Sequence, residues 1–125
     1  MFSARHEELI ARLDAQRGAT WLDEALGSCL RRLRDGGPTE WRSITVVDAW
    51  TDGDAISVVY RWNTMHETFG CRVGRRAPSD EMTAAEYGIE IADFHIAEPL
   101  GTVYDSLRFD ANGIGWWGYL PEEAA

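Results

Sequence analysis

The spacing of the apolar residues changes once in the first half of the chain, and this change constrains the fold more than any other feature. Up to residue 35, apolar residues recur every three or four positions, as on one face of a helix. Over residues 41–62 they alternate with polar residues, as on one face of a β-strand. A helical segment followed by strands predicts an α+β domain.

Two helices are predicted before the strands. The first covers residues 3–16 and ends before Gly18. The second begins after Thr20, whose hydroxyl can cap free backbone amides, and Asp23 lies near the positive end of its dipole. Its apolar stripe consists of Leu22, Ala25, Leu26, Cys29, Leu30 and Leu33. Its last turn carries the cations that oppose the dipole, Arg31, Arg32 and Arg34.

A β-hairpin is predicted next, with one apolar face on each strand. These faces consist of Ile44, Val46 and Trp50 in the first strand and of Ile56, Val58, Tyr60 and Trp62 in the second. A two-residue turn would pair even with odd positions and would split the two sets between opposite sheet faces. We therefore predict a three-residue loop at residues 51–53, with Gly53 left-handed and Val46 opposite Val58.

A third strand at residues 68–73 extends this hairpin into a meander. Two final strands are predicted at residues 103–109 and 114–120, on either side of a turn that contains Gly113. With a third helix between the two groups of strands, the element order is ααβββαββ. We therefore predict one α+β domain over residues 1–125, with helices packed on a single antiparallel sheet of about five strands.

The third helix is predicted to begin at Thr83, which forms a capping box with Glu86, and to continue toward Ala97. Its apolar stripe consists of Met82, Ala85, Ile89, Ala92 and Ile96, with Tyr87, Ile91 and Phe94 on a second flank. Two apolar flanks predict a helix that lies deep against the sheet. Gly88 opposes helix formation there, because glycine costs about 1 kcal/mol relative to alanine in a helix.

Three carboxylates project together from the other side of this helix: Glu86, Glu90 and Asp93. They form either a solvated face or a docking surface for basic residues of a partner. The whole chain carries 21 carboxylates against 12 basic residues, a formal charge of −9, which opposes binding to nucleic acid or anionic lipid. A basic protein is the partner that this charge fits best.

Adjacent tryptophans provide a second candidate binding site. Successive residues of a strand point to opposite faces, so only one of the two rings can enter the same core. We predict Trp116 in the core, because Ile114 lies on its face. Trp117 is then left for the second face, where it binds a partner unless the chain itself covers it. Aromatic residues are enriched at such binding hot spots.

No segment predicts a membrane span or an exported chain. No apolar run approaches the roughly 20 residues of a membrane span. Residues 1–8 carry mixed charges, and no apolar signal core follows them. Cys29 and Cys71 lie on apolar faces, where a thiol acts as a small hydrophobe. We expect a cytoplasmic protein that contacts neither membrane nor nucleic acid.

Motifs for catalysis and cofactor binding are missing from the sequence. His6, His66 and His95 are scattered, and no cysteine–histidine spacing is typical of a zinc site. There is no glycine-rich phosphate loop, nucleophile elbow or dinucleotide fingerprint. The residues that come nearest to a catalytic set are His95, Glu90 and Cys71, and they match no known motif. We expect no metal and no cofactor, and the sequence favours a non-enzymatic role, although one buried histidine or glutamate could transfer a proton without a linear motif.

Two functions remain open. The first is a small acidic cytosolic domain that neutralises or escorts a basic protein through Trp117 and the acidic stripe. In composition, though in no motif, the chain is similar to bacterial immunity proteins and secretion chaperones. The second is a small-ligand protein or simple acid–base enzyme, with an aromatic pocket between the third helix and the sheet and Tyr87, Glu90 or His95 in it. Either function is compatible with a homodimer.

Overall fold

The computed structural model describes residues 4–35, 44–52, 55–63, 67–74, 82–96 and 108–117. The predicted α+β class is confirmed in this part of the chain. Its helices are α1 (Ala4–Ala15), α2 (Trp21–Asp35) and α3 (Ala84–Glu90), and α3 continues directly into a π-helix (Ile91–Ile96). Its strands are β1 (Ile44–Asp52), β2 (Ala55–Trp62), β3 (Thr68–Gly74), β4 (Arg108–Phe109) and β5 (Gly115–Trp117).

The sheet has the order β1-β2-β3-β5-β4 and is mixed, so the prediction of an antiparallel sheet is wrong at one pairing. Strand β5 runs parallel to β3, whereas the other neighbours are antiparallel. A parallel pair needs a long crossover, and here α3 and the π-helix lie in the connection between β3 and the β4–β5 hairpin. Among the described strands, four have three residues or more and β4 has only two. The predicted element order ααβββαββ, with one antiparallel sheet of about five strands, is therefore matched in part.

The β1–β2 hairpin uses a register that the alternating pattern did not predict. Asp52 pairs with Ala55, so β1 extends through most of the predicted loop, and Gly53 lies outside the described residues. Val46 is opposite Tyr60 rather than Val58, because the connection between the paired residues Asp52 and Ala55 is shorter than the predicted loop and the register then shifts by one residue between Val46 and Asp48. The extra residue at Val47 reverses the sheet face to which each later residue of β1 points. With that reversal, a short connection between Asp52 and Ala55 is compatible with Val46 and Val58 on the same face of the sheet.

The bulge moves one predicted core residue to the other side of the sheet. Ile44 and Val46 lie in the core, but Trp50 pairs with Ser57 and contacts Trp116, with 5.9 Å between ring centroids. The prediction that Trp50 shares the face of Val46 is therefore wrong. The predicted faces of β2 and β3 are confirmed, because both supply core residues at alternate positions: Ile56, Val58 and Tyr60, and Phe69, Cys71 and Val73.

The core lies between one sheet face and the layer formed by α1, α2 and the π-helix. The predicted stripe of α2 is buried throughout. Thr20 caps α2 as predicted, because its hydroxyl accepts a hydrogen bond from the Asp23 amide at 3.1 Å. His6 joins α1 to α2: its Nε2 is 2.8 Å from the Leu30 carbonyl oxygen, which can only accept. His6 therefore carries a proton on Nε2.

Three arginines at the end of α2 each contact a carboxylate, which supports a structural role for this basic cluster. Arg31 contacts Asp14 of α1, and Arg32 Nε lies 3.2 Å from Asp93 of the π-helix. Arg34 binds its neighbour Asp35 at 2.6 Å. Surface pairs of this kind stabilise a fold by only about 0–1 kcal/mol each. Their main consequence is that these cations are engaged within the chain.

Helix α3 packs on α2 rather than deep against the sheet, so the prediction for the helix from Thr83 toward Ala97 is wrong in its first half. Its buried residues are Ala84 and Gly88, whereas Ala85 and Ile89 of the predicted stripe are exposed. In the π-helix that follows, Ala92 and Ile96 of the predicted stripe are buried in the core. A Cβ atom on Gly88 would lie 2.1 Å from the Ala25 carbonyl oxygen of α2. The two backbones therefore approach closely only because Gly88 has no side chain, and this contact sets the orientation of α3.

Two buried histidines make the stability of the domain depend on pH. Burial lowers the pKa of both His6 and His95, and at His6 it outweighs the Leu30 carbonyl and the carboxylates of Glu7 and Asp35. Arg34 also lowers the pKa of His6. Below the unfolded value of about 6.5 the unfolded chain then binds more protons than the folded chain. Stability is complete above that pH and is lost as the pH falls toward the lowered pKa.

We expect the free energy of unfolding, measured with urea, to fall between pH 7 and pH 5. The slope is at most about 1.4 kcal/mol per pH unit for each histidine. His6→Gln keeps a donor for the Leu30 carbonyl but does not titrate, so its curve should be flatter than that of the wild type. Parallel curves for the two proteins would contradict this assignment.

Candidate protein-binding surface

The start of α3 contains the N-cap half of the predicted capping box. The Glu86 amide donates to the Thr83 hydroxyl at 3.1 Å, and that hydroxyl lies 3.1 Å from the Glu86 carboxylate. Thr83 has extended backbone angles, as an N-cap residue should. The cap fixes the first turn of α3, and with it the outward direction of the Glu86 side chain, which is exposed.

The π-helix that follows α3 exposes an aromatic residue. Ile91 and Ile96 are buried, but the Phe94 side chain is 57% exposed, so its predicted place on an apolar flank against the sheet is wrong. A π-helix has a wider turn than an α-helix, which changes the positions that share a face. The α-helical spacing did contain a signal, because Phe94 lies four residues after Glu90 and eight after Glu86.

The predicted acidic stripe lies on the same continuous helical segment as this aromatic ring. Glu86 is exposed, and Glu90 and Asp93 are half-buried. Ile89, on the same segment, is 38% exposed. Among the described residues, Asp93 is the only one of these three carboxylates in an ion pair, with Arg32. We call the set Glu86, Ile89, Glu90, Asp93 and Phe94 the α3 surface; whether its carboxylates bind a partner stays a prediction.

Trp116 lies on the sheet face opposite the helices, which corrects its predicted place in the core. It pairs in register with Gly70, and a Cβ atom on Gly70 would lie 2.4 Å from its ring. The ring is half-buried against Trp50, and its Nε1 donates to Asp110 at 2.8 Å. This hydrogen bond lowers the pKa of Asp110. Trp117 pairs in register with Cys71, but its side chain lies outside the described residues, so its binding role also stays a prediction.

The aromatic pocket of the alternative function, between the third helix and the sheet, stays a prediction. Tyr87 donates from its hydroxyl to the Gly74 carbonyl at 3.0 Å and stacks at an angle on Trp21, with 5.2 Å between centroids. A groove of about 700 Å³ does exist, but it lies on the outer face of α2. Neither Glu90 nor His95 lines this groove.

The proposed catalytic set has little nucleophilic character. Burial raises the pKa of the Cys71 thiol, as it raises that of Cys29, and a thiol in the protonated form is a poor nucleophile. Burial lowers the pKa of His95. Within the described ranges, no group of three or more histidine, cysteine, aspartate or glutamate side chains could hold a metal ion. The α3 surface is therefore the best-supported candidate site.

Comparisons with known proteins add no functional assignment. No protein-family model, curated protein or solved structure matches the chain. None of the helices in the described part has both the length and the apolar character that a bilayer crossing requires. Function must therefore be inferred from the chemistry of the surface.

Proposed function

We propose that this chain is a small acidic protein-binding domain of the cytoplasm, which inhibits or escorts a basic protein through the α3 surface. The observation that carries the proposal is the exposure of Phe94 beside Glu90 and Asp93. A partly exposed aromatic ring is a favourable group to bury further against a partner, and such rings are common at binding hot spots. The proposed cytoplasmic location rests on two free, buried cysteines.

Charge specifies the chemistry of the partner. Glu86 and Glu90 flank the apolar residues of the α3 surface, and the whole chain carries a formal charge of −9. Carboxylates at the rim of an interface accelerate the encounter with a basic partner and disfavour an acidic one. The apolar contacts of Phe94 and Ile89 then supply the affinity. A basic protein that exposes an apolar patch is the partner that fits both features.

Replacing Phe94 by alanine should weaken association by about 30-fold, the equivalent of the roughly 2 kcal/mol that defines a hot spot. The wild type, Phe94→Ala and Val47→Ala serve as baits in a lysate of the source cells, and the recovered protein is purified and titrated against each bait. Val47 is the matched control, because it is an exposed apolar residue at the bulge of β1, outside the α3 surface. Urea unfolding checks that all three baits are folded.

Support requires a basic protein that the wild type and Val47→Ala retain equally and that Phe94→Ala loses. Equal retention by all three baits would reject the α3 surface as the binding site. If no basic protein depends on Phe94, the proposed function is wrong. An inhibitor and an escort then differ in one readout: an inhibitor abolishes the activity of a folded partner, whereas an escort holds its partner in a protease-sensitive state.

A further inference from the structure

The groove on the outer face of α2 runs along most of that helix. Its floor follows helical spacing from Asp23 through Gly27 and Arg31 to Asp35. Twelve residue steps of an α-helix span about 18 Å. Leu13 of α1 and Ile89 of α3 lie on opposite sides, so the groove is bounded by two helices and open between them.

Small side chains leave room at the sides of the groove, where Ala19 and Ala85 lie. Gly27 forms part of the floor but is buried beneath the Arg31 guanidinium, so an occupant contacts the Arg31 side chain there rather than the backbone of α2. Leu13 and Ile89 offer apolar contacts on the two sides. A segment with one apolar face and an ordered backbone, such as an amphipathic helix, matches this shape.

The charges of the groove favour a basic occupant. Its lining contains four carboxylates, Asp14, Asp23, Glu24 and Asp35, against two arginines, Arg31 and Arg32. Both arginines are engaged, one by Asp14 and the other by Asp93, and Asp35 is engaged by Arg34. Of the four lining carboxylates, Asp23 and Glu24 are then outside the ion pairs of the described residues. Glu24 is exposed and forms no ion pair with any residue in the described ranges. The negative charge therefore exceeds the positive charge along the groove.

We propose that this groove holds a basic amphipathic helical segment of the same partner that contacts Phe94. This inference rests on the proposed function and deepens it. Ile89 belongs both to the groove and to the α3 surface, and the Arg32–Asp93 pair connects the two. The complete binding surface then has two parts. The exposed side of α3 and the π-helix binds an apolar patch of the partner, and the groove binds the partner's basic helix.

The test uses a defined probe, so that it does not depend on the recovered partner. A labelled synthetic peptide of about 12 residues, the length that spans the groove as a helix, carries leucine on one face and arginine on the other. Its affinity is measured by fluorescence anisotropy at about 150 mM salt, where nonspecific attraction is screened. A peptide of the same composition in scrambled order is the control for amphipathic character.

Two matched pairs of variants locate the site. Glu24→Arg should weaken peptide binding at least tenfold, whereas Glu8→Arg makes the same charge change on an exposed residue of α1 outside the groove. Ala85→Trp should fill the groove and give a similar loss. Ala11→Trp adds the same ring at an exposed position of α1 that does not line the groove, and it should have little effect.

Each outcome decides the proposal. Losses confined to Glu24→Arg and Ala85→Trp support it. Equal losses for Glu24→Arg and Glu8→Arg would show binding to the net charge alone and would overturn it, as would no saturable binding or equal binding of the scrambled peptide. If Phe94-dependent capture succeeds and the peptide test fails, only the groove is wrong. If the peptide binds and capture fails, the α3 surface is wrong.

Discussion

Gly88→Ala should destabilise the domain by about 3 kcal/mol or more, the upper range for overpacking in a core. The added methyl group would lie 2.1 Å from the Ala25 carbonyl oxygen and 2.8 Å from the Cys29 amide nitrogen. Both atoms belong to the backbone of α2, which cannot move aside as a flexible side chain can. The helices would have to separate, and α3 would lose its packing.

Gly27→Ala is the matched control, because it places the same methyl group in the interior of α2. There the closest atom is 3.2 Å away and belongs to the end of the Arg31 side chain. The gain in helix propensity, at most about 1 kcal/mol, is then offset only by a small movement of that side chain. Urea unfolding measures both variants. Similar effects of the two substitutions would contradict the assigned role of Gly88.

Gly70→Ala should destabilise the domain by about 2 kcal/mol, because its methyl group would lie 2.4 Å from the Trp116 ring. The ring would have to leave the sheet, which would break its edge-to-face contact with Trp50 and its hydrogen bond to Asp110. A change in tryptophan fluorescence should accompany the loss of stability.

A double-mutant cycle distinguishes this collision from a general intolerance of alanine in β3. Without the ring, the methyl group at residue 70 has room, so Gly70→Ala should cost much less in a Trp116→Ala background than in the wild type. The coupling energy should amount to most of the single-variant effect. If the two losses simply add, Trp116 does not explain the requirement for glycine.

The regular elements of this fold could be predicted because each depends on local pattern. The inward faces of β2 and β3 follow from strict alternation, and the caps at Thr20 and Thr83 follow from side chains that reach nearby backbone amides. The bulge at Val47 could not be predicted in the same way. Its position depends on how the two strands of the hairpin fit over the whole core, which the pattern within one strand does not specify.

The candidate site was predictable to a similar extent. Helical spacing places Glu86 and Glu90 on one side of α3 and Phe94 four residues after Glu90. The exposure of Phe94 was nevertheless missed, because its apolar side chain favoured a place on the buried flank. Gly88 was interpreted as a weak point of the helix. Its importance lies in the backbone of α2, which is distant in sequence, so no local pattern could show it.

The bulge of β1 also affects how readily the edge of the sheet could pair with a strand of another chain. Strand β1 has nine residues and stands at one end of the described sheet, where a long, regular strand would offer its hydrogen-bonding groups to another chain. The bulge at Val47 interrupts the regular spacing of these backbone hydrogen-bonding groups. The neighbouring Asp48 carboxylate forms an ion pair with Arg5 of α1 at 3.1 Å. An irregular edge with a charge beside it is a poor template for intermolecular strand pairing, so we expect the bulge that turns Trp50 outward also to disfavour aggregation through this edge.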